Sequence, residues 1–475
     1  MTWSLVIMDD GITNAFQGRV GKAVVLEYDY YYGAFDTDDG VARTHANSVF
    51  QAALKVSRAY EVVDLKVATP LVAASYEYAA IESALRDVLA TSDYRVGAIN
   101  MSFGGSFFPF QFADEIRSLA AKGILCVAAS GNSGSHAARE QPLFPAALAE
   151  VIAVGAHDGS GRPTEFSNNG PKVAVLADGE DQPVAGSNGT SFAAPQVAAT
   201  VTHAQAIVVG LTGAPVGTAQ MVEILRQGGA GPLSRPDPAD GRTRYFLHDH
   251  EGSLDYAWSR HGGSPTRALE YVASYDDLIA AIGADARFGQ QHYVRAGAVE
   301  ERAITFDALD YIASYDDLVR AFGGDGARGA THFIVAGVRE GREVTFDGLD
   351  YIASYGDLIQ AFGADERSGS THYLGYGFAE GRGVTFDGLQ YIASYTDLVV
   401  AFGADEDAGA AHFILAGNRE GRAADQFDAV RYLANYADLR AAFGSDEDAA
   451  TRHFITTGLF EGRTDDVLAA TDFIV

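Results

Sequence analysis

The chain has 475 residues, with 34 Lys+Arg against 63 Asp+Glu and a formal charge of −29. At about 150 residues per domain, this length suggests two to four domains, and 47 % hydrophobic residues supply material for buried cores. The acidity argues against nucleic acid as a partner, which needs clustered Lys and Arg, and against anionic membranes. The single cysteine, Cys126, excludes an intrachain disulfide.

Residues 1–20 carry no base before Arg19 and no long apolar run, so no N-terminal export signal is expected. The runs SLVIMDD, KAVVLEYDY, EVVDLKVA, VGAINMS, GILCVAAS and EVIAVGAH read as buried strands. Between and after them, ANSVFQAALKVSRAY, EYAAIESALRDVLA, FADEIRSLAAKG and SFAAPQVAATVTHAQAIVV read as helices. This alternation predicts an α/β domain over residues 1–250, a parallel sheet covered by helices. The stretch 197–216 is interrupted by Thr202, His203 and Gln205 and reads as a buried helix, so no membrane span is expected. Residues 251–266 follow a Gly-, Pro-, Asp- and Arg-rich stretch and read as a linker, with GGSP at 262–265 as the hinge.

Composition then changes. Residues 1–250 hold 26 acids and 17 bases; residues 251–475 hold 37 and 17, and no lysine follows Lys172. Tyr271, Tyr311, Tyr351, Tyr391 and Tyr432 recur every 40 or 41 residues, in step with His292, His332, His372, His412 and His453. Residues 267–464 therefore read as five tandem units such as FDALDYIASYDDLVRAFGGDGARGATHFIVAGVREGREV. Each unit predicts two short helices. The first starts at an N-cap (Ser314 in the second unit), with Asp317 in its first turn, Leu318, Ala321 and Phe322 on one face and Gly323 as C-cap. The second carries His332, Phe333 and Val335 and closes near Gly337; EGR reads as a turn. One such unit cannot bury its aromatic face alone, so an all-α array is expected. The recurring His and Tyr read as packing and hydrogen-bonding positions.

Four segments of the first half carry the chemistry. Asp9 ends a strand in VIMDDGI, His45 opens a helix in THANSVFQAAL, Asn132 follows a strand in AASGNSG, and Ser191 starts an apolar helix in NGTSFAAPQVA. A serine is a weak nucleophile until a base takes its proton, the task assigned to His45. Asp9 would hold the imidazole tautomer and stabilise the imidazolium. The Asn132 amide and the Ser191 backbone N–H would stabilise a developing oxyanion. Pro195 in the first turn costs little, because those N–H groups lack intrahelical acceptors.

On these residues the chain, over about residues 3–230, resembles the subtilisin-family serine proteases. GTSFAAPQVA matches that family's nucleophile motif, and AASGNSG and INMSFGG resemble its oxyanion and substrate-binding segments. The run from Phe144 to Gly179 resembles the strand-and-loop that follows. The departures are Asp10, where the family has Thr or Ser, and HANSV in place of HGTHV. Asp9 is preferred over Asp10 as the residue that orients the histidine. The resemblance implies a subtilisin-like sheet, and it implies that Ser102, Phe103 and Gly104 pair with an extended peptide. Their side chains, with Ala128, Ser130 and Gly131, would bound a small-walled pocket accepting large apolar residues. It implies no cofactor for catalysis. The acidic loop DTDDG at 36–40 offers oxygens for a structural Ca²⁺ but lacks EF-hand spacing, and reads as a solvated loop. The family's folding prosegment is not seen ahead of Asp9, so the domain is expected to fold unaided or to be restrained otherwise.

Residues 465–475 end in Asp472 followed by three apolar residues to Val475. This resembles the C-terminal export signal of serralysin-type proteases, which leave bacteria through an ABC-transporter (type I) route. The reading is thus a secreted, extracellular serine endopeptidase. Its partners are a protein or peptide substrate, the export machinery, and a cell-surface or glycan ligand on the repeats. The alternatives are a catalytically degenerate surface protein, a processing protease with one partner, and a cytoplasmic location.

Overall fold

The computed structural model describes residues 3–10, 12, 17, 26–29, 45–68, 78–91, 95–105, 110–134, 141–180, 188–231 and 244–466. They form two bodies. The first holds everything up to Ser274 together with 285–304; the second holds 275–284 and everything from Thr305 onward.

The core of the first body is a seven-stranded sheet. Its strands are β1 (Trp3–Asp9), β2 (Leu26–Asp29), β3 (Glu61–Lys66), β4 (Arg95–Met101), β5 (Leu125–Ala129), β6 (Val151–His157) and β7 (Val173–Asp178). The order is β2-β3-β1-β4-β5-β6-β7 and every pairing is parallel. Val, Ile, Leu and Ala fill these strands, as burial on both faces requires. Val6, Met8, Val63, Leu65, Ile99 and Met101 pack with Ile81 and Leu85 of α2 (Tyr78–Ala90) and Ile116 and Leu119 of α3 (Phe110–Ala121). The same core takes in Cys126, whose burial pushes the thiol up to about 12, fitting a small apolar role.

Against the sheet lie α1 (His45–Val56) and α4 (Thr190–Thr212). Helix α4 is apolar on all sides and long enough to cross a membrane; its apolar window is 94 % buried within the protein, as for a core helix. It approaches β4 closely: a Cβ on Gly97 would stand 2.7 Å from the Thr202 Cα. Helix α5 (Thr218–Gly228) packs against β7.

The residues read as a linker are largely helical. Helix α6 (His250–Arg260) buries Leu254, Ala257 and Trp258. The Gly-rich signal after it marks a tight helix–helix turn: Gly262 has φ +100°, and the Ser264 side chain accepts from the Arg267 N–H to cap α7 (Pro265–Ala273). The first repeat is divided. Its α7, α9 (Ala286–His292) and the π-helical Tyr293–Gly297 lie in the first body, its α8 (Asp276–Ile282) in the second. The Tyr293 ring packs 5.2 Å from Trp258 and 4.9 Å from Tyr271, and its hydroxyl covers Gly210 of α4.

In the second body the repeats have three helices each, not two. The second unit has Ala308–Ala313, Asp316–Phe322 and Gly326–His332, and the last runs on through a π-helical turn, Phe333–Gly337. Ser314 does not cap the Asp316 helix; Tyr315 stands there. The Ser314 backbone ends the preceding helix, and its hydroxyl accepts the N–H groups of Thr345 and Phe346, both at 2.9 Å. A serine before an acidic, apolar run carries the same local signature in either role.

The recurring His and Tyr find each other. Tyr311 Oη lies 2.9 Å from His332 Nδ1, and the other units repeat the pair at 2.9–3.0 Å. The EGR turn is also explained. Gly341 closes its helix at φ +66°, and Arg342 returns over the Tyr315 ring (4.7 Å) with a two-pronged bond to Asp317 at 2.9–3.0 Å. Exposed pairs of this kind contribute about 0–1 kcal/mol each. Residues 36–40 and the tail from 467 lie outside the described residues.

Candidate active site

The sheet reverses its winding at β1: the chain runs out through β2 and β3 on one side, then returns to β4 on the other. Crevices at such switch points open at the carboxyl ends of the strands. Asp9 ends β1, Ser102 follows β4, and Ser130–Asn132 follow β5. Three neighbouring strand ends thus bring three of the sequence motifs to one edge.

Asp9 is fully buried, and its Oδ1 lies 2.8 Å from His45 Nδ1. The same Oδ1 accepts the Asp10 N–H at 2.8 Å. The Asp10 carboxylate instead accepts the Ala46 N–H at 3.0 Å, at the N-terminus of α1, where a negative charge is favourable. The two adjacent acids thus divide the work: Asp9 orients the imidazole, Asp10 anchors the helix bearing it. Asp9 pushes His45 up from the ordinary 6.5 to about 9, burial opposing and Asp10 adding to the rise. The His45 ring also lies 5.8 Å from Phe192, the residue after Ser191.

Ser191 stands in the first turn of α4, where its N–H has no intrahelical acceptor. Its hydroxyl donates to the Ser102 carbonyl at 3.1 Å, and the Ser102 hydroxyl donates to the Ser191 carbonyl at 2.7 Å. Among the described residues no hydrogen bond joins Ser191 to His45. The Asn132 Oδ1 accepts both the N–H and the hydroxyl of Thr190 at 2.9 Å. This fixes the amide with Nδ2 toward the turn before Ser191, 3.2 Å from where a Cβ on Gly189 would stand.

The expected pocket lining is corrected in part. The side chains of Ser102, Phe103, Ala128 and Ser130 are buried, Phe103 in the core and the Ser130 hydroxyl on the Asn168 carbonyl (2.7 Å). Only Gly104 and Gly131 reach the surface there. The Leu143 side chain lies beside both glycines, 3.3 Å from a Cβ on Gly104 and 2.9 Å from one on Gly131.

Sequence reasoning missed Leu143 and the residues that hold the segment bearing Asn132, Thr190 and Asn168. Asn168 accepts the Ser133 N–H through Oδ1 at 2.8 Å and donates its own N–H to the Gly131 carbonyl at 2.8 Å. The only available signal was their place inside the segments of resemblance. Of the other histidines, His203 is buried and His248 half-buried, both driven to about 3 by desolvation, and His250 to about 4. Asp9, Asp10 and His45 are the one carboxylate–imidazole group close enough for a metal among the described residues. Asp9 Oδ1 and His45 Nδ1 are engaged with each other and Asp10 Oδ1 with the start of α1, whereas Asp9 Oδ2 is buried without a hydrogen-bond partner among the described residues.

This is a doubly wound parallel fold with an acid–imidazole pair and a helix-borne serine at one strand edge. Residues 45–219 match the model of the subtilase family. Subtilisin DY of Bacillus licheniformis is 37 % identical over 107 residues, 21 % of this chain and 39 % of its own length. Alkaline protease 1 of Aspergillus clavatus is 26 % identical over 257 residues, 50 % of this chain and 60 % of its own. The chain thus spans less than two thirds of these relatives. Among solved structures, a cold-adapted subtilisin-like serine proteinase has a TM-score of 0.40 at 21 % identity, covering 52 % of this chain and 87 % of its own. A lanthipeptide protease has 0.43 at 17 %, covering 53 % and 86 %.

Proposed function

We propose that the chain is a serine endopeptidase. The observation that carries this is the buried Asp9 carboxylate 2.8 Å from His45 at the strand edge that also holds Ser102 and Asn132. His45 Nε2 takes the proton of Ser191 Oγ as that oxygen bonds to the substrate carbonyl carbon. The carbonyl oxygen, now negative, accepts from Asn132 Nδ2 and the Ser191 N–H. His45 then returns the proton to the leaving amine as the C–N bond breaks, and water repeats the sequence on the acyl-enzyme. Ser191 must first leave the Ser102 carbonyl, a rotation about one side-chain bond.

The test is a fluorophosphonate probe applied to the folded protein and its Ser191→Ala variant. Labelling of the wild type alone supports the reading; a folded wild type that stays unlabelled overturns it. A second reading, a degenerate binding protein, is favoured by the Ser191–Ser102 hydrogen bond and gains if labelling fails. A processing protease would label yet leave casein intact.

The protein is exported by a type I route and acts outside the cell; the acidic composition, the single cysteine and the residues from Asp472 to Val475 support this. The repeats bind a partner or surface that localises cleavage. Removing the last four residues should abolish export from an ABC-transporter host while leaving probe labelling intact.

A further inference from the structure

We infer that the first body carries a site for a small oxyanion, a phosphate or a carboxylate, between Lys172 and Arg226. It lies at the opposite end of the sheet from Asp9, Ser102 and Asn132 and does not depend on the endopeptidase reading. Val151 starts β6, Lys172 immediately precedes β7, and α5 sets Thr218, Val222 and Arg226 along one face at steps of four. These residues line a cleft of about 320 Å³.

The chain has 63 acids against 34 bases, so a cation rarely lacks an acidic neighbour. In the repeats Arg342, Arg382, Arg422 and Arg463 each meet two carboxylates. Among the described residues Lys172 and Arg226 are paired with none. They donate to backbone carbonyls instead. Lys172 Nζ reaches the Val151 carbonyl at 2.7 Å. Arg226 reaches the Ala174 carbonyl through Nε at 2.9 Å and the Val173 carbonyl through Nη2 at 3.1 Å. The guanidinium also lies 5.3 Å from the Phe246 ring centre. Glu150, the acid that favours the charged form of Lys172, gives its carboxylate to Arg117 of α3 at 3.3 Å.

The carbonyls therefore fix both cations in place without neutralising them. Burial disfavours each charge, and Arg226 further disfavours that of Lys172. A charge withdrawn from water without a counter-charge is costly, and an anion between the two relieves that cost. The donors for it are present. Each carbonyl takes one N–H, which leaves Lys172 two and Arg226 three. Thr218 and Ala219, at the same cleft, begin α5, where N–H groups lack intrahelical acceptors and the helix is positive. A cleft offering donors matches an oxyanion, which offers acceptors only.

The experiment follows thermal melting of the full chain by tryptophan fluorescence, since both tryptophans, Trp3 and Trp258, lie in the first body. Sodium phosphate and sodium citrate, each at about 10 mM, are compared with sodium chloride of equal ionic strength. Phosphate or citrate should raise the melting temperature by about 5 °C, saturating with concentration. A shift with phosphate alone assigns the site to phosphate, and one with citrate alone to carboxylates. Lys172→Met removes a donor, and Val222→Glu supplies a carboxylate one turn before Arg226; both should abolish the shift. No shift in the wild type overturns the inference. So does a shift that survives in either folded variant, because exclusion of these salts from the protein surface acts on all three proteins alike. Where Lys172→Met fails to fold, Val222→Glu decides.

Discussion

Ser102 and Ser191 hold one another through a reciprocal pair of hydrogen bonds, each hydroxyl donating to the other's backbone carbonyl, at 3.1 and 2.7 Å. The pair joins the end of β4 to the start of α4. Ser191→Ala removes only one of the two links, so turnover should vanish while the melting temperature stays close to that of the wild type. Ser102→Ala removes the buried link and leaves the Asn100 amide, which donates to Ser102 Oγ at 3.0 Å, without its acceptor. It should cost about 1–3 kcal/mol, read by urea unfolding.

Proteolysis should have an alkaline limb. With His45 pushed up to about 9, the imidazole is charged at neutral pH and cannot accept the serine proton. The rate should therefore rise with pH through about 9. For stability the sign is opposite: a raised histidine stabilises the fold fully below 6.5, and that contribution is lost as pH rises through 9. Asp10→Asn removes one of the charges that raise it, so the limb should move to lower pH. A kcat/KM profile that plateaus by pH 7 would refute this.

Asn132→Ala should lower kcat by about 100–1000-fold with little change in KM, a magnitude borrowed from the corresponding group of a subtilisin. Thr190→Val removes the hydroxyl that holds the Asn132 oxygen. It should lower kcat in the same direction by less, because the Thr190 N–H still holds that oxygen. Steady-state kinetics on one peptide substrate separates the two.

The repeat array should be more stable in acid than in alkali. Burial and neighbouring carboxylates push Asp310 up to about 8 and Asp350 up to about 9. Folded, these groups hold protons that the unfolded chain releases above about 4, so stability falls as pH rises from there through 8–9. Asp310 still receives the Ser370 hydroxyl, whereas the Asp350 Oδ1 is buried without a partner among the described residues. Asp350→Asn should thus stabilise the array at pH 8 by about 1–3 kcal/mol. Thermal melts at pH 5 and pH 8 test this; no difference between wild type and variant at pH 8 would count against it.

Six of the seven strands and α4 were legible because continuous apolar runs have few alternatives; β7 was not singled out as a strand. The Asp9–His45 pair was legible through motif order alone. The division of labour between Asp9 and Asp10 was not, since it depends on where α1 begins in space. Leu143 was hidden for a related reason: it lies 39 residues beyond Gly104, and nothing local marks a leucine as lying beside two distant glycines. In the repeats, Gly323 caps the helix it is read to cap, whereas Ser314, read as the start of that helix, ends the one before it. The same letters cap a helix, end one, or turn between two, and only tertiary partners choose.

The placement of Tyr293 over Gly210 of α4, against Trp258 and Tyr271, has a consequence for how such a protein can be rebuilt. The sequence period invites a cut near 266, treating five repeats as one exchangeable cassette. The natural seam lies inside the first repeat, since α7 and α9 share the core of the protease-like body. A swap at the period boundary would strip an aromatic cover from the buried helix that carries Ser191. Grafting a foreign array therefore requires keeping this chain through Ile304, so that one repeat is inherited with the sheet-bearing body and only the others are free to vary.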